Sequence, residues 1–321
     1  MKVALVGLGG MGSTHYNLLK KMADIKIVAL VDVEETKIKE KATECGACTY
    51  TDIDEMLSHE KPDFVDICTP SYLHCQHAVS AMEKGIHVLV EKPVALKESD
   101  VKTMLKCATD NDVMLMAAHV LRFWPEYEWL KKVTVDKQYG KLLSLSLWRC
   151  GLRPLTSWKD WMLDKEKSGL VPFDLHIHDI DFMVYLLGLP KKNDLFEINL
   201  SPGQYVETSA HYTNGLRVFA KAAWFNGHVP FNMGYEAIFE GGYAEYRNDT
   251  LIFYPNDGKA IRPITETVQS SNSEINVANT NGYYNEIRYF IDCISKNKKP
   301  SIITGEELLA VISLLTRPNR R

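Results

Sequence analysis

The chain has 321 residues, 45% of them hydrophobic and 24% charged, with a formal net charge of −4 from 37 basic and 41 acidic residues. That balance fits a globular protein long enough for two domains. It excludes a basic nucleic-acid binder and, with no apolar run near the ~20 residues of a membrane helix, a membrane-spanning chain. Seven scattered cysteines point to a reducing compartment rather than a disulfide framework. With the first strand expected from residue 2, no signal segment is expected, and the reading is of a cytoplasmic protein.

Residues 2–6 form a short apolar, β-branched run that flows into Gly7-Leu8-Gly9-Gly10-Met11-Gly12. A strand followed by G-x-G-x-x-G and a helical stretch is the pattern of a pyrophosphate site. Gly7 permits the tight turn, Gly9 lets the backbone approach the phosphates, and Gly12 lets the helix pack close to its strand. The bare amides at the helix start, Gly10 and Met11 among them, hold the anion with the positive helix end. A second apolar strand over 25–31 ends in Asp32, where an acidic side chain accepts hydrogen bonds from an adenosine ribose. The carboxylate repels a 2′-phosphate and no Arg follows it, so NAD is expected rather than NADP.

Further strand-like runs at 48–50, 63–68, 86–90 and 113–118 alternate with helical stretches at 52–58, 71–84 and 97–111. Continuous apolar strands with helical crossovers define an α/β domain with a doubly wound parallel sheet, here residues 1–118. Cys45-Gly46-Ala47-Cys48 lacks the second ligand pair of a zinc site and the helix N-terminus of a redox pair; it reads as a turn.

From 119 to 321 the pattern is that of a second, α+β domain. Residues 122–136 read as a helix with Pro125 in its first turn, 141–150 as a strand and 175–187 as a helix. Six strand-like segments follow at 196–200, 205–212, 216–224, 235–240, 244–246 and 251–254, separated by turns such as Asn214-Gly215. They imply a large, open-faced, mostly antiparallel sheet. Residues 263–280 read as a loop or arm, and 281–296 and 304–316 as closing helices that can pack back on the first domain. An open sheet face needs covering, so a homodimer or homotetramer through that face is expected.

Three further places carry chemistry. Cys68-Thr69-Pro70-Ser71 and Glu91-Lys92-Pro93 follow the fourth and fifth strands, at the carboxyl ends where open α/β sheets bind ligands. Phe173-Asp174-Leu175-His176-Ile177-His178-Asp179-Ile180-Asp181 opens a helix in the second domain. Asp174 and His178, four apart, project from one helical face, and Asp181 lies three beyond His178, placed to support its ring. Alcohol chemistry on a nicotinamide needs no metal when an acid–base group is present, and none is expected.

In these motifs, spread in order over both domains, the chain resembles the Gfo/Idh/MocA oxidoreductase family. The resemblance implies a Rossmann domain followed by an open-faced-sheet domain, and NAD(P)-linked oxidation or reduction of a small-molecule sugar, cyclic polyol or related carbonyl compound. By position it makes Lys92 the catalytic lysine of the Glu-Lys-Pro motif and Asp174 and His178 the rest of a triad. Thr69, Pro70, His74, Glu91 and Lys92 fall on the nicotinamide side as cofactor contacts. Either His178 or Lys92 takes the substrate proton. His176 stands where many relatives have glycine, so the resemblance expects it to add a polar contact or narrow the pocket. Arg122, Arg153, Trp158 and Trp161 are expected to rim the substrate site. Two other activities occur among proteins of this kind: an NAD-dependent glycoside hydrolase, and a non-catalytic NAD-binding regulator.

Overall fold

A computed structural model describes residues 1–200, 203–264 and 281–316. Within them the chain divides into two compact units, Met1–His119 with Tyr283–Gly305, and the remainder from Val120 onward.

The first unit runs β1 (Lys2–Val6), α1 (Gly10–Leu19), β2 (Lys26–Val31), α2 (Glu35–Cys45), β3 (Cys48–Tyr50), α3 (Ile53–His59), β4 (Phe64–Ile67), α4 (His74–Met82), β5 (His87–Glu91), α5 (Glu98–Asp110) and β6 (Leu115–Ala118). All six strands are parallel, in the order β3-β2-β1-β4-β5-β6. Strand order reverses between β1 and β4, the switch point where such sheets leave a crevice for ligands. β4, and β1 past its exposed Lys2, are buried along their length because helices cover both sheet faces, which is why their sequences show no alternation. The helix read at 71–84 is broken: Ser71–Leu73 forms a 3₁₀ turn and α4 begins at His74. Cys45 and Cys48 are free thiols on either side of Gly46, whose φ of +70° closes α2.

The second unit holds α6 (Pro125–Val135), β7 (Leu142–Leu152), a short α7 (Lys165–Ser168), α8 (Ile177–Leu187), β8 (Lys192–Leu200), β9 (Gly203–His211), β10 (Arg217–Phe225), β11 (Asn232–Phe239), β12 (Gly242–Arg247) and β13 (Thr250–Pro255). Its seven strands are ordered β13-β12-β11-β7-β10-β9-β8. Only the β7–β10 pair is parallel. Alternation is clean: Val206, Thr208, Ala210, Val218, Ala220 and Ala222 are buried on one face, while Phe196, Ile198, Phe219 and Ile238 are exposed. α6 starts at Pro125 rather than 122, because proline fits the first helical turn and Val120–Phe123 forms a 3₁₀ turn instead. β8 starts four residues earlier than its apolar run, since Lys192, Asn193 and Asp194 pair with β9 as an edge strand.

α9 (Asn281–Ser295) belongs, from Tyr283, to the first unit, and α10 (Gly305–Thr316), from Glu306, to the second. Ile287, Phe290 and Ile291 of α9 are fully buried, and Phe290 meets Phe64 of β4 edge-on at 5.8 Å between ring centroids. From residue 265 the arm read at 263–280 lies outside the described residues. No helix among the described residues is long and apolar enough to cross a membrane.

Candidate active site

The glycine turn divides its labour among three positions. Gly7 has φ +88°, and a Cβ there would sit 2.7 Å from the Cys68 carbonyl oxygen. Gly12 packs α1 against the turn so tightly that its Cβ would fall 1.8 Å from the Gly7 oxygen. At Gly9 a Cβ would meet nothing within 4 Å, so the space in front of it is open to a ligand. The first bond of α1 runs from the Ser13 amide to the Gly9 carbonyl at 2.9 Å. The amides of Gly10, Met11 and Gly12 precede it and have no carbonyl within the helix to meet. The first turn of α1 carries no acidic residue, so nothing there opposes an anion. Asp32 closes the other end: one oxygen accepts from the Leu8 amide at 2.7 Å and the other from the Glu34 amide at 2.8 Å. The carboxylate is thus anchored beside the turn with lone pairs left for a diol. These residues fit a dinucleotide.

The two strand-end motifs are tied together from below. His74 is 1% exposed. Its Nδ1 lies 2.7 Å from the Pro93 carbonyl and its Nε2 2.8 Å from the Thr69 carbonyl. Read from the sequence as a cofactor contact, it is instead a brace between the turn after β4 and the turn after β5, its ring spent on backbone groups. Burial lowers its pKa against the pull of the two carbonyls. Thr69 Oγ1 faces His77 Nδ1 at 3.2 Å. The Lys92–Pro93 bond is cis. Glu91 is buried and its Oε2 accepts from the Lys92 amide at 3.0 Å, whereas Lys92 itself is half-exposed.

Sequence reasoning passed over His15, on α1. Its ring is fully buried, with Nδ1 at 2.9 Å from Asp66 and Nε2 at 3.2 Å from Glu91. Burial disfavours the cation, but Asp66 more than offsets it and holds the ring's pKa well above the ordinary histidine value. Burial pushes the neighbouring Cys68 thiol upward as well, so it stays protonated. Only the spacing of His15 from Gly12, one helical turn, signalled that it faces the sheet.

In the second unit the Asp-x-x-x-His segment spans two kinds of helix. Pro172–His176 winds as a π-turn before α8 begins at Ile177, a feature common at functional sites. Asp174 and His178 are half-exposed, and His176 between them is fully buried. The ring of His176 turns to the sheet, where its Nε2 meets Thr208 Oγ1 at 2.7 Å. The expectation of a pocket contact at His176 is therefore corrected: the residue is core. Burial, with help from Arg149, lowers its pKa to about 3 and keeps it neutral.

One other expectation changes, and it concerns Arg122. Both oxygens of Asp181 accept from it, at 2.9 Å from Nε and 2.6 Å from a terminal nitrogen. Arg122 is fully buried rather than on a rim, and also donates to Glu307 of α10 at 2.8 Å. The fork needs a bidentate carboxylate, which Asp181 supplies from α8. Arg153, Trp158 and Trp161 are half-exposed.

A Rossmann unit with an amide-rich glycine turn is followed by a unit built on a large, mostly antiparallel sheet. Residues 1–119 match the Gfo/Idh/MocA family described as an oxidoreductase family with an NAD-binding Rossmann fold, and residues 127–243 match the C-terminal domain of the same family. The chain belongs to that family. It is 32% identical over 185 residues to 2,7-anhydro-N-acetylneuraminate hydratase of Mediterraneibacter gnavus, covering 58% of this chain and 49% of the relative. It is 28% identical over 189 residues to myo-inositol 2-dehydrogenase of Thermotoga maritima, covering 59% and 55%. The chain thus spans about half the length of the curated relatives it matches. Among solved structures, an oxidoreductase from Agrobacterium radiobacter, in complex with NAD+, L-tartaric acid and magnesium, superposes with a TM-score of 0.85. It is 19% identical and the match covers 98% of this chain and 94% of that one.

Proposed function

We propose that this protein is an NAD-dependent oxidoreductase acting on a CH–OH group of a sugar, a cyclic polyol or a related carbonyl compound. The reading is carried by the glycine turn: it leaves open space at Gly9, bare amides behind it and an anchored carboxylate at Asp32, in a chain whose family is one of NAD-binding oxidoreductases. The residues that hold the cofactor are Gly7, Gly9, Gly10, Met11 and Gly12 for the pyrophosphate and Asp32 for the ribose, with Thr69, Pro70 and Glu91 toward the nicotinamide. The nicotinamide supplies the hydride acceptor, or the donor in the reverse direction.

The chain's own groups handle the proton. His178 supplies an imidazole, the side-chain type suited to taking the hydroxyl proton as hydride leaves. Asp174 orients its ring and stabilises its charged form. Lys92 donates to the reacting oxygen and stabilises the developing alkoxide. Being half-exposed, all three are reachable by a substrate, whereas His176 is not.

The test is NADH formation from NAD on a panel of cyclic polyols and aldoses, alongside Lys92→Ala and His178→Ala. Loss of turnover of about 10²–10⁴-fold is expected when the proton-transfer group is removed. Full activity in both variants would reject the assignment. A second reading is favoured by one observation, that a relative at 32% identity is named a hydratase. In that case the hydride would be returned within the catalytic cycle. Substrate loss with no net NADH is the result that would select it.

A further inference from the structure

Beneath the glycine turn lies a charged cluster that the scheme above does not use. His15 comes from α1, Asp66 from β4 and Glu91 from the end of β5, and His15 and Asp66 are wholly buried. Nδ1 of His15 approaches both oxygens of Asp66, at 3.1 and 2.9 Å, while Nε2 is 3.2 Å from Glu91 Oε1. A carboxylate offers no hydrogen to donate, so the Nδ1 between the Asp66 oxygens carries a proton; Nε2 lies within ion-pair distance of Glu91 without hydrogen-bond alignment, and a second proton there sets a buried cation between two buried carboxylates. The remaining neighbours do not compete for that proton. Cys68 Sγ, 3.5 Å from Nδ1, is a protonated thiol that donates to Asp66 at 3.7 Å. Tyr283 of α9 presents its ring 6.3 Å away, and the charge of Lys92 acts on Glu91 as well.

The connections run in one direction along the fold. α1 begins at the amides that face the pyrophosphate, and His15 lies one turn beyond Gly12. Glu91 uses one oxygen toward His15 and the other to accept the Lys92 amide. A neutral side chain at 15 would take the buried cation at Oε1 away from Glu91, and a buried carboxylate that loses such a partner moves or takes up a proton.

We infer that His15 is a positioning residue, a fixed imidazolium that fastens the phosphate-facing helix to Glu91 and thereby sets the backbone that carries Lys92. Its kinetic consequence rests on the proposed role of Lys92; its charge state does not.

The experiment uses the full-length protein labelled with 15N-histidine. Ring-nitrogen shifts are followed from pH 6 to 9.5, with and without NAD. One histidine is expected to keep the imidazolium signature beyond pH 8, and that signal disappears in His15→Gln. If every ring is neutral at pH 8, the inference is overturned whatever the enzyme's activity. Kinetics supply the second arm. His15→Gln lowers kcat on the order of 100-fold, as small misplacements of a reacting group do, while the NAD dissociation constant stays within about threefold, about 0.7 kcal/mol. A folded His15→Gln with wild-type kcat, or one whose kcat and NAD affinity fall together, refutes the positioning role. Should the wild type turn over no compound in the panel, the failure lies with the proposed reaction, and the ring titration still decides the state of His15.

Discussion

Replacing Gly9 by alanine and Gly12 by alanine separates ligand binding from packing within a single turn. At Gly12 the new Cβ would lie 1.8 Å from the Gly7 oxygen and 2.8 Å from its carbon. To reach ordinary contact the helix must retreat by roughly 1.5 Å or more. Helix propensity by itself favours alanine over glycine by about 1 kcal/mol. Overpacking against backbone costs about 1–3 kcal/mol and here outweighs the gain. The obstacle is a carbonyl, not the tip of a flexible side chain, so the cost falls at the upper end and Gly12→Ala melts several degrees lower. Gly9→Ala meets no such obstacle, and its φ of −66° suits any residue. Its stability stays within about 0.5 kcal/mol of wild type. Its methyl group stands where the pyrophosphate must approach, so NAD affinity falls by about tenfold or more, about 1.4 kcal/mol. Thermal melts and NAD titrations by fluorescence or calorimetry read both effects. Gly9→Ala with wild-type NAD affinity, or Gly12→Ala melting at the wild-type temperature, would refute the assignment of roles.

Four further outcomes are expected. The Asp32 carboxylate makes NAD bind at least about tenfold tighter than NADP, about 1.4 kcal/mol, and Asp32→Ala narrows the gap in competition binding. Asp181→Ala leaves Arg122 buried without its bidentate partner and lowers the free energy of unfolding by about 3–5 kcal/mol in denaturant titrations. His176, held neutral with a pKa of about 3, binds a proton more readily in the unfolded chain, so stability falls as pH drops below the unfolded value near 6.5. At pH 5 this amounts to about 2 kcal/mol, relieved in His176→Gln. The exposed Phe196, Ile198, Phe219 and Ile238 on the open sheet face are expected to form the contact of a homodimer or homotetramer. Light scattering reads the mass, and Phe196→Asp with Ile198→Asp shifts it to the monomer.

The nucleotide half was legible because its demands are local. A turn, a helix start and an acidic strand end are contiguous in sequence, and each glycine does what its spacing requires. The strand at 2–6 was readable to the residue and the one at 26–31 to within one, because past their exposed first lysines burial leaves only apolar side chains. What sequence missed depends on pairing across distance. Nothing near Arg122 announces Asp181, 59 residues away, or Glu307, and an arginine reads as surface until its partner is known. His176 and His178 are alike in composition; the π-turn decides which enters the core, and that turn has no sequence signature. His15 and Asp66 are 51 residues apart and meet only because β1 and β4 are neighbours in the sheet.

The first unit's return to the chain's far end has a consequence for synthesis. Phe64 and the surrounding sheet face are covered by Phe290 and its helix neighbours, and Asp24 is paired with Arg288, 264 residues later. As the polypeptide leaves the ribosome, the six-stranded sheet emerges complete at residue 118, yet one of its covers is not translated until near residue 295. For that interval of elongation, roughly ten to thirty-five seconds at ordinary translation speeds, an apolar surface of the nascent unit stays open to water and to chaperones. Fragments ending near residue 119 carry the same exposed surface and should need the segment 283–305, supplied in trans or by fusion, to remain soluble.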